Sequence, residues 1–291
     1  MRKIRIAVSG LVLLVLILGI IYAQTTKPTS STTTQKATSI PSKIVESKIY
    51  QPAEFLTLAD KAKKHRNLHI QGMALLDGEG VKEIPSEARR IEFEIWLKFP
   101  WVRIKFKSPD HQQRVSDGRY SYLFYFDNKG KLICQRKFIT TQNLYHTLTT
   151  AAIFVDAAKG YENLASFVKF KPAAKVYIPQ KYIQKSKLKV NTEKVRWFKI
   201  IPVRKPIHPI ARNWDSVVGI STKDGLVYFL RGKKRAKDKE IIVTYLFRVV
   251  SEGMVKDRDL KLPSIAAGAS WIDADTVKPI AAPLKVISVK Q

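Results

Sequence analysis

Residues 91–106 read Ile-Glu-Phe-Glu-Ile-Trp-Leu-Lys-Phe-Pro-Trp-Val-Arg-Ile-Lys-Phe. Ile91, Phe93, Ile95 and Leu97 alternate with Glu92, Glu94 and Trp96. After Phe99-Pro100, Val102, Ile104 and Phe106 alternate with Arg103, Lys105 and Lys107. A period of two puts successive side chains on opposite faces of a strand. The short connection makes the two strands antiparallel neighbours. The pattern spreads outward in both directions. Leu68 to Leu76 alternates before Asp77-Gly78, and Gln113 to Ser116 leads into Asp117-Gly118. Tyr120 to Phe126 and Lys131 to Phe138 flank Asp127-Asn128-Lys129-Gly130, a hairpin signal. Neighbours of this kind pair as a meander.

Helical spacing appears in two places. Phe55, Leu56, Leu58, Ala59 and Ala62 predict a helix between Pro52 and Asn67. Leu144, Leu148, Ala151, Ala152, Val155 and Ala158 predict another, with Tyr161 to Phe170 as its continuation. Strands then resume at Val195 to Ile201, Ser216 to Thr222, Leu226 to Arg231, Ile241 to Val250 and Trp271 to Asp273; residues 172–191 are Lys-rich and ambiguous. The expected class is α+β, mainly β with helices: one curved antiparallel sheet with helices against one face.

Three segments divide the chain. Residues 1–23 open with Arg2, Lys3 and Arg5 and continue through an uncharged apolar run from Ala7 to Ala23. That is the layout of an export signal. The run is also at the short limit of a bilayer span, so cleavage after Ala23 and retention as an anchor both stay open. Residues 24–49 are Thr/Ser-rich with Pro28 and Pro41, a linker composition. Residues 50–291 form the folded part.

Composition excludes several classes. Of 291 residues, 52 are Lys or Arg and 24 Asp or Glu, a net charge of +28 that calls for a polyanionic partner. Cys134 is the single cysteine, so a disulfide framework and a cysteine-cluster metal site are excluded. His65, His69, His111, His146 and His208 make no metal-ligand spacing, and no nucleophile elbow, phosphate loop or dinucleotide fingerprint occurs. The expectation is a protein that is no enzyme and needs no cofactor or metal. Glu92 and Glu94 sit among Arg89, Arg90 and Lys98 and read as an ionic face.

The basic stretches include 181–189 and 231–239. Lys233, Lys234, Arg235, Lys237 and Lys239 read as a cationic hairpin loop for an anionic surface, at about 1 kcal/mol per basic residue beside anionic lipid. Single-strand nucleic-acid readers interleave aromatic residues with cations. These runs hold only Tyr182, so a membrane or envelope polymer is expected, and no nucleic acid.

Residues 94–109 with their Phe-Pro turn, then Val115-Ser-Asp-Gly-Arg, then Tyr122-Leu-Phe-Tyr-Phe, resemble the periplasmic outer-membrane lipoprotein carrier, LolA, and its superfamily. Phe198-Lys-Ile-Ile-Pro, Lys223-Asp-Gly and Leu260 to Asp273 are similar to later segments of that family in the same order. The resemblance implies a half-open β-barrel with a helical lid, in the periplasm, acting as a single chain. It implies a hollow that holds lipid or lipoprotein acyl chains without catalysis. Ile91, Phe93, Ile95, Leu97, Val102, Ile104 and Phe106 are then the lipid-cavity candidates, with a dry core as the other reading. In the family an arginine immediately precedes the turn proline. Here Phe99 holds that place and Lys98 precedes it, and both are cavity-edge candidates. The second functional class is a membrane-tethered interaction or sensory module on the same scaffold, binding an acidic polymer or protein partner through its basic surface.

Overall fold

Each period-two segment described is a strand in the computed structural model, which describes residues 49–107, 112–127, 130–176, 188, 194–203, 215–236, 239–261 and 268–280. The first six strands are β1 (Asn67–Asp77), β2 (Arg90–Lys98), β3 (Trp101–Phe106), β4 (Gln113–Ser116), β5 (Tyr120–Phe126) and β6 (Leu132–Phe138). The next five are β7 (Val168–Pro172), β8 (Val195–Pro202), β9 (Asp215–Ser221), β10 (Val227–Ala236) and β11 (Lys239–Glu252). Two short ones follow, β12 (Ser270–Asp273) and β13 (Lys278–Pro279). Four helices accompany them: α1 (Ala53–Ala62), α2 (Leu144–Leu148), α3 (Ala152–Ala157) and α4 (Glu162–Ala165). The export-signal segment and residues 24–48 of the linker lie outside the described residues, as do Lys237, His111 and His208.

All thirteen strands join one curved, unclosed sheet in the order β13-β12-β6-β5-β4-β3-β2-β1-β11-β10-β9-β8-β7. It is two meanders, β1 to β6 and β7 to β11, joined where β1 pairs antiparallel with β11. One pair departs from the antiparallel expectation: β12 runs parallel to β6, with Trp271 opposite Cys134 and Asp273 opposite Arg136.

The register aligns the apolar positions on one face. Val249, Ile70, Ile95 and Ile104 sit side by side across β11, β1, β2 and β3. On this concave face α1 contributes Phe55, which stacks on Phe170 at 3.9 Å and meets Phe198 edge-on at 5.9 Å. Phe154 of α3 meets Phe247 edge-on at 5.0 Å. The convex face carries two smaller apolar clusters, Val115/Tyr122/Phe124/Leu132/Cys134/Trp271 and Met73/Leu75/Leu188/Trp197/Phe229/Leu246. Between them it is ionic, as Glu92 and Glu94 predicted. Arg90 pairs with Glu92, Lys107 with Glu94 at 3.0 Å, and His69 stacks on Trp96. Burial in the first cluster pushes the Cys134 thiol up to about 12, so it stays protonated.

Two expectations are corrected. The second helix does not run from Tyr161 to Phe170. Gly160 and Tyr161 both take positive φ (70° and 58°), which ends α3. The helical turn α4 then stops at Ala165, and Val168 and Phe170 alternate inward as β7. The basic stretch at 231–239 is not a loop either. β10 continues to Ala236 and β11 starts at Lys239, so most of its cations sit on strands.

The parallel β6–β12 junction depends on one ion pair. Arg136 donates to Asp273 Oδ2 from Nη2 (2.5 Å) and Nε (3.2 Å), and Asp273 Oδ1 accepts from the backbone N–H of Asp275 and Thr276. The Arg136 hydrogen bond, helped by Thr276, holds the Asp273 carboxyl below its usual range. A carboxyl lowered by folding stabilises the native state above its unfolded pKa of about 3.9 and loses that contribution as pH falls through the folded value. Amide protection at residues 270–273, relative to the intrinsic exchange rate at each pH, should therefore fall below about pH 3.9 in the native chain. In Asp273→Asn it should be low already at neutral pH.

Candidate functional site

The sheet leaves an opening where its turns meet the helices. A cleft of about 410 Å³ is lined by Phe99 and Pro100 of the β2–β3 turn and by Gly118 of the β4–β5 turn. Ile139 to Thr141 after β6, Leu144 and Leu148 of α2, and Val155 of α3 line it further. Lys159, Glu162, Asn163 and Ser166 complete it. Apolar side chains (Phe99, Ile139, Leu144, Leu148, Val155) share its lining with polar ones.

Local chemistry fixes each wall. In the β4–β5 turn, Asp117 Oδ1 accepts from the N–H groups of Arg119 (2.8 Å) and Tyr120 (2.7 Å), and Ser116 Oγ accepts from Gly118 N–H (3.0 Å). Gly118 has φ +87°, and a Cβ there would lie 2.7 Å from Pro100. Only glycine lets the two turns touch. Phe99 is held by its N–H donating to Arg66 O (2.8 Å), with the Arg66 guanidinium 4.5 Å and the Lys159 ammonium 5.8 Å from its ring centre. At the start of α2, Thr140 N–H donates to Asn143 Oδ1 and Asn143 N–H to Thr140 Oγ1, while Asn143 Nδ2 donates to Phe138 O. Those bonds fasten the helix to the end of β6.

One buried carboxylate ties the lid together. Asp156 of α3 is fully buried. It accepts from Tyr145 Oη (2.6 Å) of α2 and from the backbone N–H groups of Asn163 (3.0 Å) and Leu164 (2.8 Å) of α4. Burial pushes its carboxyl above the ordinary range, and the three donors pull it back. Tyr161 then carries the lid to the far half of the sheet, donating from Oη to Gly225 O (2.8 Å).

The wall of the cleft holds an unsatisfied group. Neither the Nδ2 nor the Oδ1 of Asn163 has a partner, although both atoms are buried. A buried amide without hydrogen bonds costs roughly 1–3 kcal/mol per group, so this one has capacity for a ligand or a water.

The seven cavity candidates come together, but away from this opening. Ile91, Phe93, Ile95, Leu97, Val102, Ile104 and Phe106 all lie on the concave face, each no more than 6% exposed, within the main apolar core. None of them lines the cleft. Of the two edge candidates, Phe99 lines it. Lys98 points elsewhere and pairs with Asp257 at 2.6 Å. The cationic candidates divide between the faces. Lys233 pairs with Glu240 (2.5 Å) and Lys239 with Glu83 (3.6 Å), and Arg235 is exposed. Lys234 follows Leu230 onto the concave side, and burial lowers its pKa. No group of three or more metal-ligating side chains occurs among the described residues. No helix among them is long and apolar enough to cross a membrane.

Asp156 and Asn163 were not singled out from sequence. Asp156 does leave a signal: it is a lone acid within the apolar run Ala151 to Ala158.

No family model matches the chain, and no curated protein matches it. Solved structures of LolA type are among its structural matches. One is a LolA superfamily protein from Nitrosomonas europaea (8% identity, 71% of this chain and 96% of that one, TM-score 0.33). Another is the Pseudomonas aeruginosa MucA/MucB complex (10%, 73% and 62%, TM-score 0.38). A third is the Mycobacterium tuberculosis lipoprotein LppX (12%, 66% and 91%, TM-score 0.33). The chain spans about three-fifths of the length of the MucB chains it matches. At these identities and scores the functional reading rests on the chain's own residues.

Removing the Asp156 carboxylate leaves three donors unmatched. Asp156→Ala should lower unfolding stability by about 2–4 kcal/mol, given about 1–3 kcal/mol for each buried donor and partial relaxation. Urea denaturation measures it, and amide exchange in α2 and α4 should rise first.

Proposed function

We propose that this chain is an exported, non-catalytic binding protein that takes an acyl chain, of a lipid or a lipid-modified protein, into the cleft beneath α2. The observation that carries the reading is the cleft itself: an apolar floor of Phe99, Ile139, Leu144 and Val155, with the unpartnered Asn163 amide on its wall. Its volume falls within the roughly 300–1,000 Å³ of small-ligand sites. Each methylene buried contributes about 0.8 kcal/mol, so an acyl chain needs no covalent step to be held. The amide offers its NH2 donors and its carbonyl acceptor to an ester or hydroxyl that reaches that wall.

The seven core residues of β2 and β3 support the floor and shape it without touching the ligand. The excess of cations serves approach: a net charge of +28 attracts the chain to anionic membrane or envelope polymer, where acyl-bearing clients reside. Residues 1–23 direct export, whether removed or kept as a tether.

The test uses the purified chain and a neutral probe, dodecanoyl monoglyceride, followed by native mass spectrometry and titration calorimetry. The native chain should take up one probe molecule. Thr141→Trp, which fills the rim, and Leu144→Asp, which charges the floor, should each weaken uptake about tenfold or more, as expected for losing two or more buried methylenes. Absence of uptake by the native chain, or uptake unchanged in both variants, overturns the proposal.

A further inference from the structure

The register carries one row of concave-face residues across the whole left half of the sheet: Ile70, Ile95, Ile104, Arg114, Leu123, Gln135 and Ile272. Its first three members are sealed, at 0%, 0% and 1% exposure. From β4 onward the row is partly open, and Arg114 stands at the boundary. Arg114, opposite Ile104, puts a guanidinium in a row that is aliphatic on β1 to β3.

No described side chain answers that charge. Arg114 Nε is buried without a hydrogen-bond partner. No carboxylate among the described residues pairs with it, and burial alone lowers its pKa, to about 10. It therefore remains a cation at neutral pH. Beside it on the same face, Gln112 Oε1 is also buried and unpartnered. The covering segment adds the hydroxyls of Thr147, Thr149 and Thr150, again without partners. This segment is in place over these strands, because Ser121 Oγ donates to Thr147 O (3.5 Å) and the turn at residues 149–151 packs on β3. Ten buried side-chain polar atoms lack partners among the described residues, and five belong to Gln112, Arg114 and the 147–150 segment that packs on β3 and β5.

We infer that Arg114 receives the oxyanion headgroup, a carboxylate or a phosphate, of an anionic amphiphile lying along the part-open concave face of β4, β5 and β6. A planar guanidinium matches a two-oxygen acceptor, and threonine hydroxyls complete an oxyanion's shell. Leu123, Tyr125 and Ile133 continue from Arg114 on the same face and give the tail an apolar path. An uncompensated cation in such a place costs stability, and an arriving anion relieves that cost. None of these residues lines the cleft beneath α2, so the inference goes beyond the proposed acyl site and stands or falls separately.

The test titrates the full chain with sodium dodecanoate, dodecyl phosphate, dodecanol and inorganic phosphate, in the native form and in Arg114→Gln and Arg114→Lys. The two anionic amphiphiles should bind the native chain and lose about tenfold or more in Arg114→Gln, the range of one charge-assisted hydrogen bond. Arg114→Lys should retain part of the affinity, and dodecanol should change less than about twofold, having no charge to lose. Arg114→Gln should also unfold at the same or a higher denaturant concentration, because it removes an unpaired buried charge. An arginine serving only to hold the fold would give a lower one. Equal losses for dodecanol and dodecanoate, no loss in Arg114→Gln, or inorganic phosphate binding as tightly as dodecyl phosphate each overturn the inference. Failure of the neutral monoglyceride alone leaves this result unaffected and counts only against the cleft.

Discussion

The structure depends on the pairing of β1 on both its edges. β1 meets β2 on one side and β11 on the other, and the second pairing brings Leu68 opposite Glu252. That contact unites two meanders that are otherwise local. Its register is set at Gly72. A Cβ there would lie 2.0 Å from the Phe93 ring, so Phe93 lies across the bare backbone of β1. The ring then meets Phe106 from β3 and Phe247 from β11 at 6.0 Å each. A slip of one residue would move Leu68, Ile70, Ala74 and Leu76 to the convex face and take the glycine from beneath the ring. Phe93 reads register at three strands at once.

The position of the openings follows from that sheet. At about 4.8 Å per strand, thirteen strands span roughly 58 Å of curved surface. The lid comprises α1, of ten residues, and three helices of four to six residues. Such a lid covers β1 to β3 and the β7–β11 half, where the rings of Phe55, Phe154, Phe170 and Phe198 close the core. Over β4 to β6 it is thin: α2 reaches β5 where Ser121 meets Thr147 O, and the rows beyond stay partly open. Space is left at the strand ends beneath α2 and along the outer rows of the concave face. The width of the sheet against the length of the lid, more than any single motif, decides where a ligand fits.

Much of this was legible in the sequence, for physical reasons that also mark the limit. Alternation at 91–106 assigned each residue to a face, and the register keeps every assignment. Alternation does not say whether a face is filled. Phe154 and Phe247, which close the space over Phe93, lie far away in sequence, so cavity and core looked alike. At 231–239, lysine and arginine hid a strand, because charge reads as loop although Leu230 and Lys234 keep the period of two. Beyond Gly160 an apolar run looked helical until two positive φ angles broke it. The parallel docking of β12 on β6 joins segments more than a hundred residues apart, and no local signal announces it. The cleft is less legible still, since its walls come from two strand turns, the end of β6 and three helices.

Charge links the two openings. With 24 acids against 52 cations, carboxylates are the scarce partner in this chain. Those that the fold supplies are engaged at the surface and at junctions: Glu94 with Lys107, Glu240 with Lys233, Asp257 with Lys98, Asp273 with Arg136. Asp156, the one fully buried acid among the described residues, binds α3 to α2 and α4. Among the described residues no acid is paired with Arg114 on the concave face. A guanidinium left unpaired by its own chain can be neutralised from outside, and a ligand that does so must also match the apolar rows beside it. On the two proposals the excess of cations acts at two ranges: over the surface it draws the protein toward anionic material, and at Arg114 it selects the ligand's head while the aliphatic rows accept its tail.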